Sequence, residues 1–314
     1  IGGSDITYYC RNFYYFSDKT NTLNSKIKIA IASGKGGTGK TFISTNLFNA
    51  LQKSGTKVNL VDCDAEEPND REFIAGDFQQ SFDVTQKVPI IDELKCTYCG
   101  KCYEYCNYNA IFFLGEQRMI RVLEDHCHGC GACSVACEYD AITEKDDLLG
   151  TVAAYKVQQN SNLIEARMKV GVHSPVPVIK EAIKAAKNAD VILLDSPPGT
   201  SCPFIQTVAT ADYVVLVTEP TPFGLSDLRQ SVDTLRSMGK NCGVIVNRAG
   251  LGNDEVFDYL KKENITLLMS VPFDKFIAMT YSKGKLISNE SAEWQNKFSQ
   301  LFNIILQENG NSGN

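Results

Sequence analysis

Three observations in this 314-residue sequence predict an α/β fold, a doubly wound and mainly parallel sheet interrupted by a small cysteine-rich insert. A glycine-rich loop joins a β-branched run to a helical one. Strand-like and helix-like segments alternate through the second half, the pattern of parallel strands with crossover helices. Eight of the 12 cysteines fall into one duplicated spacing between the two halves.

Taken in order, residues 1–26 read as an appendage, since the chain opens on Ile1 and then runs through aromatics into Asn and Thr, without the charged and apolar regions of a secretory signal. Ile27 to Ala32 is alternating and β-branched, as a buried strand is. A helix follows the glycine loop to about Lys53, and Lys57 to Val61 reads as the next strand, ending in Asp62-Cys63-Asp64. The insert occupies residues 91–148 and divides the larger unit into 27–90 and 149–310. A helix is expected over Val176 to Lys187 and a strand over Asp190 to Leu194, leading into Asp195-Ser196-Pro197-Pro198-Gly199-Thr200. Strands at Tyr213–Val217, Gly243–Val246 and Thr266–Met269 then alternate with helices at Leu225–Ser237 and Asp254–Lys262. Trp294, Phe298, Leu301, Phe302 and Ile305 share one helical stripe and predict a terminal helix packed on the core. The tail, 311–314, is polar and expected to fray.

Composition narrows the function classes. Lys and Arg number 31 against 37 Asp and Glu, a net charge of −6, which excludes nucleic-acid binding driven by overall charge. No run approaches the roughly 18 apolar residues of a membrane span, and Lys297 alone supplies positive charge on the terminal stripe, so membrane attachment is not expected. A secreted disulfide scaffold is short and core-poor, and this chain is neither; it is the duplicated spacing of eight cysteines, read as a ligand set, that implies a reducing, cytoplasmic setting.

The loop Gly34-Lys35-Gly36-Gly37-Thr38-Gly39-Lys40-Thr41 fits G-x-x-x-x-G-K-[ST]. Its glycines let backbone N–H groups turn inward around phosphate oxygens, and the following helix points its N-terminus at the same anion. Lys40 is expected to reach the β- and γ-phosphates and the Thr41 hydroxyl to bind Mg²⁺. Asp195, ending a buried strand, suits water-mediated Mg²⁺ binding. Pro197 and Pro198 stiffen the loop after it, and Gly199 gives it a pivot.

Cys96-x2-Cys99-x2-Cys102-x3-Cys106 returns 31 residues later as Cys127-x2-Cys130-x2-Cys133-x3-Cys137, and Ala110-Ile111 returns as Ala141-Ile142. The duplicated set resembles the two-cluster run of bacterial ferredoxins, in which the fourth cysteine of each set ligates the other cluster. The resemblance implies one [4Fe-4S] cluster on Cys96, Cys99, Cys102 and Cys137, and a second on Cys127, Cys130, Cys133 and Cys106. Zinc, the alternative, uses cysteine pairs rather than triplets with a crossed fourth. Asn107 and Glu138 stand where that run has proline, and His126 and His128 read as solvated neighbours of Cys127. Of the remaining four, Cys10 and Cys242 carry no functional expectation, Cys63 lies between two acids, and Cys202 reads as a small buried residue, with a bridging metal as the sharper alternative.

A lysine directly after the first glycine, Lys35, resembles the deviant Walker A loop of the MinD/ParA/Mrp ATPases. The resemblance covers residues 27–310 and implies that Lys35 crosses a dimer interface to the partner's nucleotide. It also implies that Asp64 orients the attacking water or acts as base, Asp62 supports the Mg²⁺ shell, and the Gly199 N–H senses the γ-phosphate. Asn247 is expected on the adenine edge, and the Ser270–Asp274 segment, with Pro272, along the base. Phe42 departs from the pattern, standing where many such loops carry a second hydroxyl that contacts the α-phosphate. The expectation is an ATP-binding and hydrolysing protein with ATP or ADP, Mg²⁺ and two [4Fe-4S] clusters as cofactors. It would gate low-potential electron transfer to a redox or metalloprotein acceptor, partnered with itself or a related ATPase subunit in a nucleotide-dependent dimer. The alternative is an ATPase of metallocluster assembly.

Overall fold

The computed structural model describes residues 27–158 and 160–311. The expectations for residues 1–26, Cys10 included, and for the tail after 311 lie outside the described residues. In order, the chain forms β1 (Ile27–Ala32), α1 (Lys40–Lys53), β2 (Val58–Asp62), β3 (Asp77–Ile91), α2 (Lys101–Glu104), β4 (Ile111–Leu114), β5 (Met119–Val122), α3 (Ala132–Ala136), β6 (Ile142–Val157) and β7 (Ser161–Met168). Then follow α4 (Val176–Ala185), β8 (Val191–Asp195), α5 (Cys202–Ala209), β9 (Tyr213–Thr218), α6 (Pro222–Ser237), β10 (Cys242–Ala249), α7 (Glu255–Lys262), β11 (Leu267–Pro272), α8 (Lys275–Tyr281), α9 (Ile287–Glu290) and α10 (Ala292–Asn311).

Nine strands make one sheet in the order β11-β10-β9-β1-β8-β2-β7-β6-β3. Every pairing from β11 to β7 is parallel, and β6 and β3 are added antiparallel at one edge. Side chains alternate across the central strands, as the two-residue strand period requires. Ile27, Ile29 and Ile31 enter one core with Val191 and Leu193, while Ala30 and Ala32 enter the other with Ile192 and Leu194. Both faces are covered, so these strands read as continuous apolar runs.

On the first face, α1 and α10 pack together: Leu47 and Phe48 meet the layer of Trp294, Phe298, Leu301 and Ile305, all buried. The terminal stripe is therefore buried against the protein's own core. No helix among the described residues is long and apolar enough to cross a membrane. On the second face α4, α5, α6 and α7 contribute Val178, Phe204, Leu228 and Val256.

The β3–β6 ribbon and β7 carry no signal in the sequence reading. The ribbon pairs Asp77↔Lys156 through Ile91↔Ile142, and β7 accompanies β6 only as far as Gly150↔Met168. Beyond that the ribbon continues as two strands, and residues 92–141 fold at its tip around a small core of Cys102, Ile111, Ile120 and Cys133. Inside this tip β4 and β5 form a separate antiparallel hairpin.

Candidate functional site

The carboxyl ends of five adjacent parallel strands converge on one crevice, where an open α/β sheet binds its ligands. β1 delivers the glycine loop, β2 ends at Asp62, β8 at Asp195, β9 runs into Glu219, and β10 carries Asn247. Gly39 adopts a left-handed φ of 100°, and a Cβ there would collide with the Asn247 amide nitrogen. Glycine is thus required by both conformation and contact. The Asn247 amide donates to Thr38 O at 2.8 Å and accepts from Arg248 N at 2.9 Å, so it bolts β10 to the phosphate loop.

Thr41 Oγ1 donates to Asp195 Oδ2 at 2.9 Å and lies 3.1 Å from Asn69 Oδ1, and Ser44 Oγ adds a bond to Asp195 Oδ2 at 3.1 Å. Asp62 accepts backbone N–H bonds from Asp64 at 3.1 Å, Asn69 at 2.8 Å and Asp70 at 3.0 Å, which folds residues 62–70 around its carboxylate. Asp70 is fully buried, and its carboxyl shares a hydrogen bond with that of Asp195. Burial pushes Asp62, Asp70 and Asp195 above the usual carboxylate range, with Asp195 raising the other two further. Lys40, 8% exposed, is the nearby cation. Burial lowers its pKa, and the charges of Asp195 and Asp64 oppose that shift.

Burial raises Asp64 to about 6, against the pull of Lys40. A raised carboxyl binds its proton more tightly in the folded than in the unfolded chain, so the stability it contributes is full below 3.8 and lost as pH rises through about 6. The melting temperature of the nucleotide-free protein is expected to fall over that window, and Asp64→Asn to flatten the portion near pH 6. An unchanged profile in the variant would refute the assignment.

Lys35 Nζ lies 3.6 Å from Glu219 Oε2, while Arg248 Nη1 meets Glu219 Oε1 at 2.5 Å. Gly199 N donates to Ser33 O at 3.1 Å, and Pro272 is exposed at the end of β11. The sequence reading missed Ser44, Asn69, Asp70 and Glu219. Only Ser44 carried a usable signal, lying three residues after Thr41 on the same helical face. Cys63 is fully buried in the core. Cys202 corrects an expectation: it opens the first turn of α5 and is exposed, not buried.

At the ribbon tip the eight spaced cysteines line two cavities. One is bounded by Cys96, Cys99, Cys102 and Cys137 together with Ile91, Tyr139 and Ile142. The other is bounded by Cys106, Cys127, Cys130 and Cys133 together with Lys87, Pro89 and Tyr108. The fourth cysteine of each run thus joins the other run's triplet. Backbone N–H groups point at three of the sulfurs: Tyr98 N to Cys96 at 3.4 Å, Gly129 N to Cys127 at 3.4 Å and Ala110 N to Cys106 at 3.2 Å. All eight thiols are free, and burial raises Cys102 to about 11. Among the described residues no three or more His, Cys, Asp or Glu side chains are grouped so as to hold a metal ion.

The profile of the CobQ/CobB/MinD/ParA nucleotide binding domain matches residues 29–287. The chain belongs to this family. As a P-loop ATPase of the MinD/ParA type it resembles an uncharacterized protein, MJ0579, of Methanocaldococcus jannaschii, 31% identical across 84% of this chain and 92% of that one. It also resembles the iron-sulfur cluster carrier protein of Methanococcus maripaludis, 22% identical across 92% of this chain and 87% of that one. Among solved structures, MinD of Pyrococcus horikoshii complexed with Mg-ADP shares the fold, with a TM-score of 0.53 at 22% identity, covering 88% of this chain and 93% of that one. Within the MinD/ParA fold, Phe42 has a structural explanation. Its ring packs edge-on against Tyr281 at 6.0 Å and Phe298 at 6.1 Å, joining α1 to α8 and α10.

Proposed function

We propose that this MinD/ParA-type ATPase gates electron transfer to a partner protein through two resident [4Fe-4S] clusters. The pairing of eight cysteines around two separate cavities carries the reading. Four thiols around a space, with backbone N–H groups aimed at sulfur, suit a cubane with one ligand per iron, whereas a single zinc ion draws its ligands to one point. Cys96, Cys99, Cys102 and Cys137 would hold one cluster, and Cys127, Cys130, Cys133 and Cys106 the other. Such clusters supply one-electron chemistry at low potential. Thr41 and Asp195, with Asp62 behind them, would hold Mg²⁺, Lys40 would neutralise the β- and γ-phosphates, and Asp64 would orient the attacking water.

The link between the two halves supports gating. Residues 62–70 run through Asp70–Glu72 directly into β3, the strand that leads to the cysteine cavities. Met168 N donates to Ala65 O at 2.8 Å, and the Arg71 guanidinium sits 4.0 Å over the ring of Tyr155 on β6. A nucleotide-dependent shift of this segment therefore bears on both strands of the ribbon.

The test is anaerobic EPR of the reduced protein, followed by its reoxidation by a one-electron acceptor with and without ATP. Low-spin cluster signals and an ATP-dependent rate are expected; a rate indifferent to ATP sinks the gating. The similarity to iron-sulfur cluster carrier proteins favours a second reading, delivery of a cluster to client proteins. Transfer of iron to an apo-ferredoxin, with all eight cysteine-bound irons retained, would select it.

Lys35 is proposed as a lysine acting in trans. Lys35→Ala is expected to retain nucleotide binding but lose at least about tenfold in hydrolysis, as removal of a charged transition-state contact does. Phosphate release at rising protein concentration checks this; a variant as fast as the parent throughout removes the case for a trans lysine.

A further inference from the structure

The internal repeat is broken in a way that distinguishes the two cavities. The cavity of Cys106 and the Cys127 triplet is lined by Lys87 and Pro89 on β3 and Glu144 on β6, whereas the other is lined by Ile91 and Ile142, the last pair of the ribbon. The first is therefore nearer the ATPase sheet and the second lies at the far tip. The inner cavity is also tied down. Gln86 Nε2 donates to Cys127 O at 3.1 Å, and His126 meets His173 of the ATPase unit edge-on, with ring centroids 6.3 Å apart.

Tyr108 and Tyr139 are repeat mates, 31 residues apart, and each lines its own cavity. Tyr108 is covered by the ring of His128, stacked at 3.9 Å, whereas Tyr139 is 48% exposed. Leu94, two residues before Cys96, is 99% exposed, and its repeat mate is Asp125. Asp92 N donates to Ala141 O at 2.7 Å, which brings the Leu94 loop beside the segment carrying Tyr139. The outer cavity thus has an exposed apolar and aromatic rim at the far end of the ribbon.

Charge indicates what this rim fits. Residues 91–148 hold 11 Asp and Glu against five Lys and Arg, a net −6 that equals the net charge of the whole chain. A second copy of the insert would be repelled, while a protein with a basic face is attracted. We infer that the outer rim, centred on Leu94 and Tyr139, is the docking surface for a redox protein with a basic face, and that the inner cavity serves as the relay behind it. This rests on the reading that both cavities hold resident clusters.

The probe is a basic, ferric c-type cytochrome, mixed anaerobically with the dithionite-reduced protein. One electron passes from a reduced cluster to the ferric haem, which becomes ferrous, and the cluster returns to its oxidised form; no ligand or proton moves. Leu94→Ser and Tyr139→Ser are expected to lower the second-order rate at least about fivefold each, the effect of truncating a central interface residue. They should weaken binding of the oxidised pair, measured by titration calorimetry, by a similar factor. Phe223→Ser, a substitution of an exposed residue on α6, should leave both unchanged, and the parent's rate should fall as salt rises. Iron and sulfide content separates the two levels of inference. No iron in any protein overturns the resident clusters. Full iron with parent-like rates and binding in the Leu94 and Tyr139 variants overturns the docking surface, as does sedimentation that finds the parent self-associating through this rim.

Discussion

Lys40→Ala is expected to lower ATP hydrolysis by at least about 100-fold, the scale seen when one preorganised charge donor is removed from a transition state. The reason lies in how few cations the crevice offers. Lys40 is 8% exposed, sits at the start of α1, and faces Asp195 and Asp64. Burial already weakens its hold on its proton, so its charge depends on those carboxylates and, when nucleotide enters, on phosphate. Alanine keeps the helix, since alanine is the best helix former, and leaves Gly39 and the Asn247–Thr38 bond in place. What it removes is the cation between the phosphate loop and the buried acids. Those acids then keep their protons at higher pH, and the site opposes Mg²⁺ and nucleotide together. Phosphate release and binding of a fluorescent ADP measure both effects, and far-UV circular dichroism checks that the fold survives. Turnover within fivefold of the parent would refute Lys40 as the phosphate-binding lysine.

The crevice was legible in the sequence to the extent that its parts are local. Gly34 to Thr41 is one continuous turn between a strand and a helix, and Asp62 and Asp195 end strands whose apolar runs announce them. The parts that depend on tertiary contact were not legible. Asp70 has no spacing relation to Asp195, yet both are buried in one acidic cluster because residues 62–70 fold back on the Asp62 carboxylate. The Asn247 amide is engaged by Thr38, 209 residues away in the chain. The ribbon was hidden for another reason. In β3 only Val84, Val88 and Pro89 are buried, so most of its sequence reads as a polar surface with too little alternation to declare a strand. Cys202 was misjudged because a lone cysteine is usually buried, and helix-end exposure cannot be read from composition.

The crossing of the fourth cysteines gives the second large effect, and it can be read without any partner protein. Cys99 and Cys130 are exposed and Cys137 is half-buried, so alanine at these positions removes a proposed cluster ligand while sparing the insert's small core of Cys102, Ile111, Ile120 and Cys133. Each single variant is expected to lose about four of about eight irons per chain. The double variants then separate the two possible connectivities, because losses from a shared site do not add while losses from separate sites do. Cys99 and Cys137 line the same cavity, so Cys99→Ala with Cys137→Ala should still lose only about four irons. Cys130 lines the other, so Cys130→Ala with Cys137→Ala should lose all of them. A chain that wrapped each four-cysteine run around its own cluster would give the opposite pair of results. Iron and sulfide assays on anaerobically purified protein decide the matter, and EPR of the reduced single variants should show which cluster signal survives. The two cysteine runs are 31 residues apart in sequence and held at the end of one ribbon. Crossing therefore makes the insert a single unit: neither cavity is complete without the other half of the repeat, and loss of Cys137 should loosen the Cys96 half while the Cys127 half, braced by Gln86, remains in place.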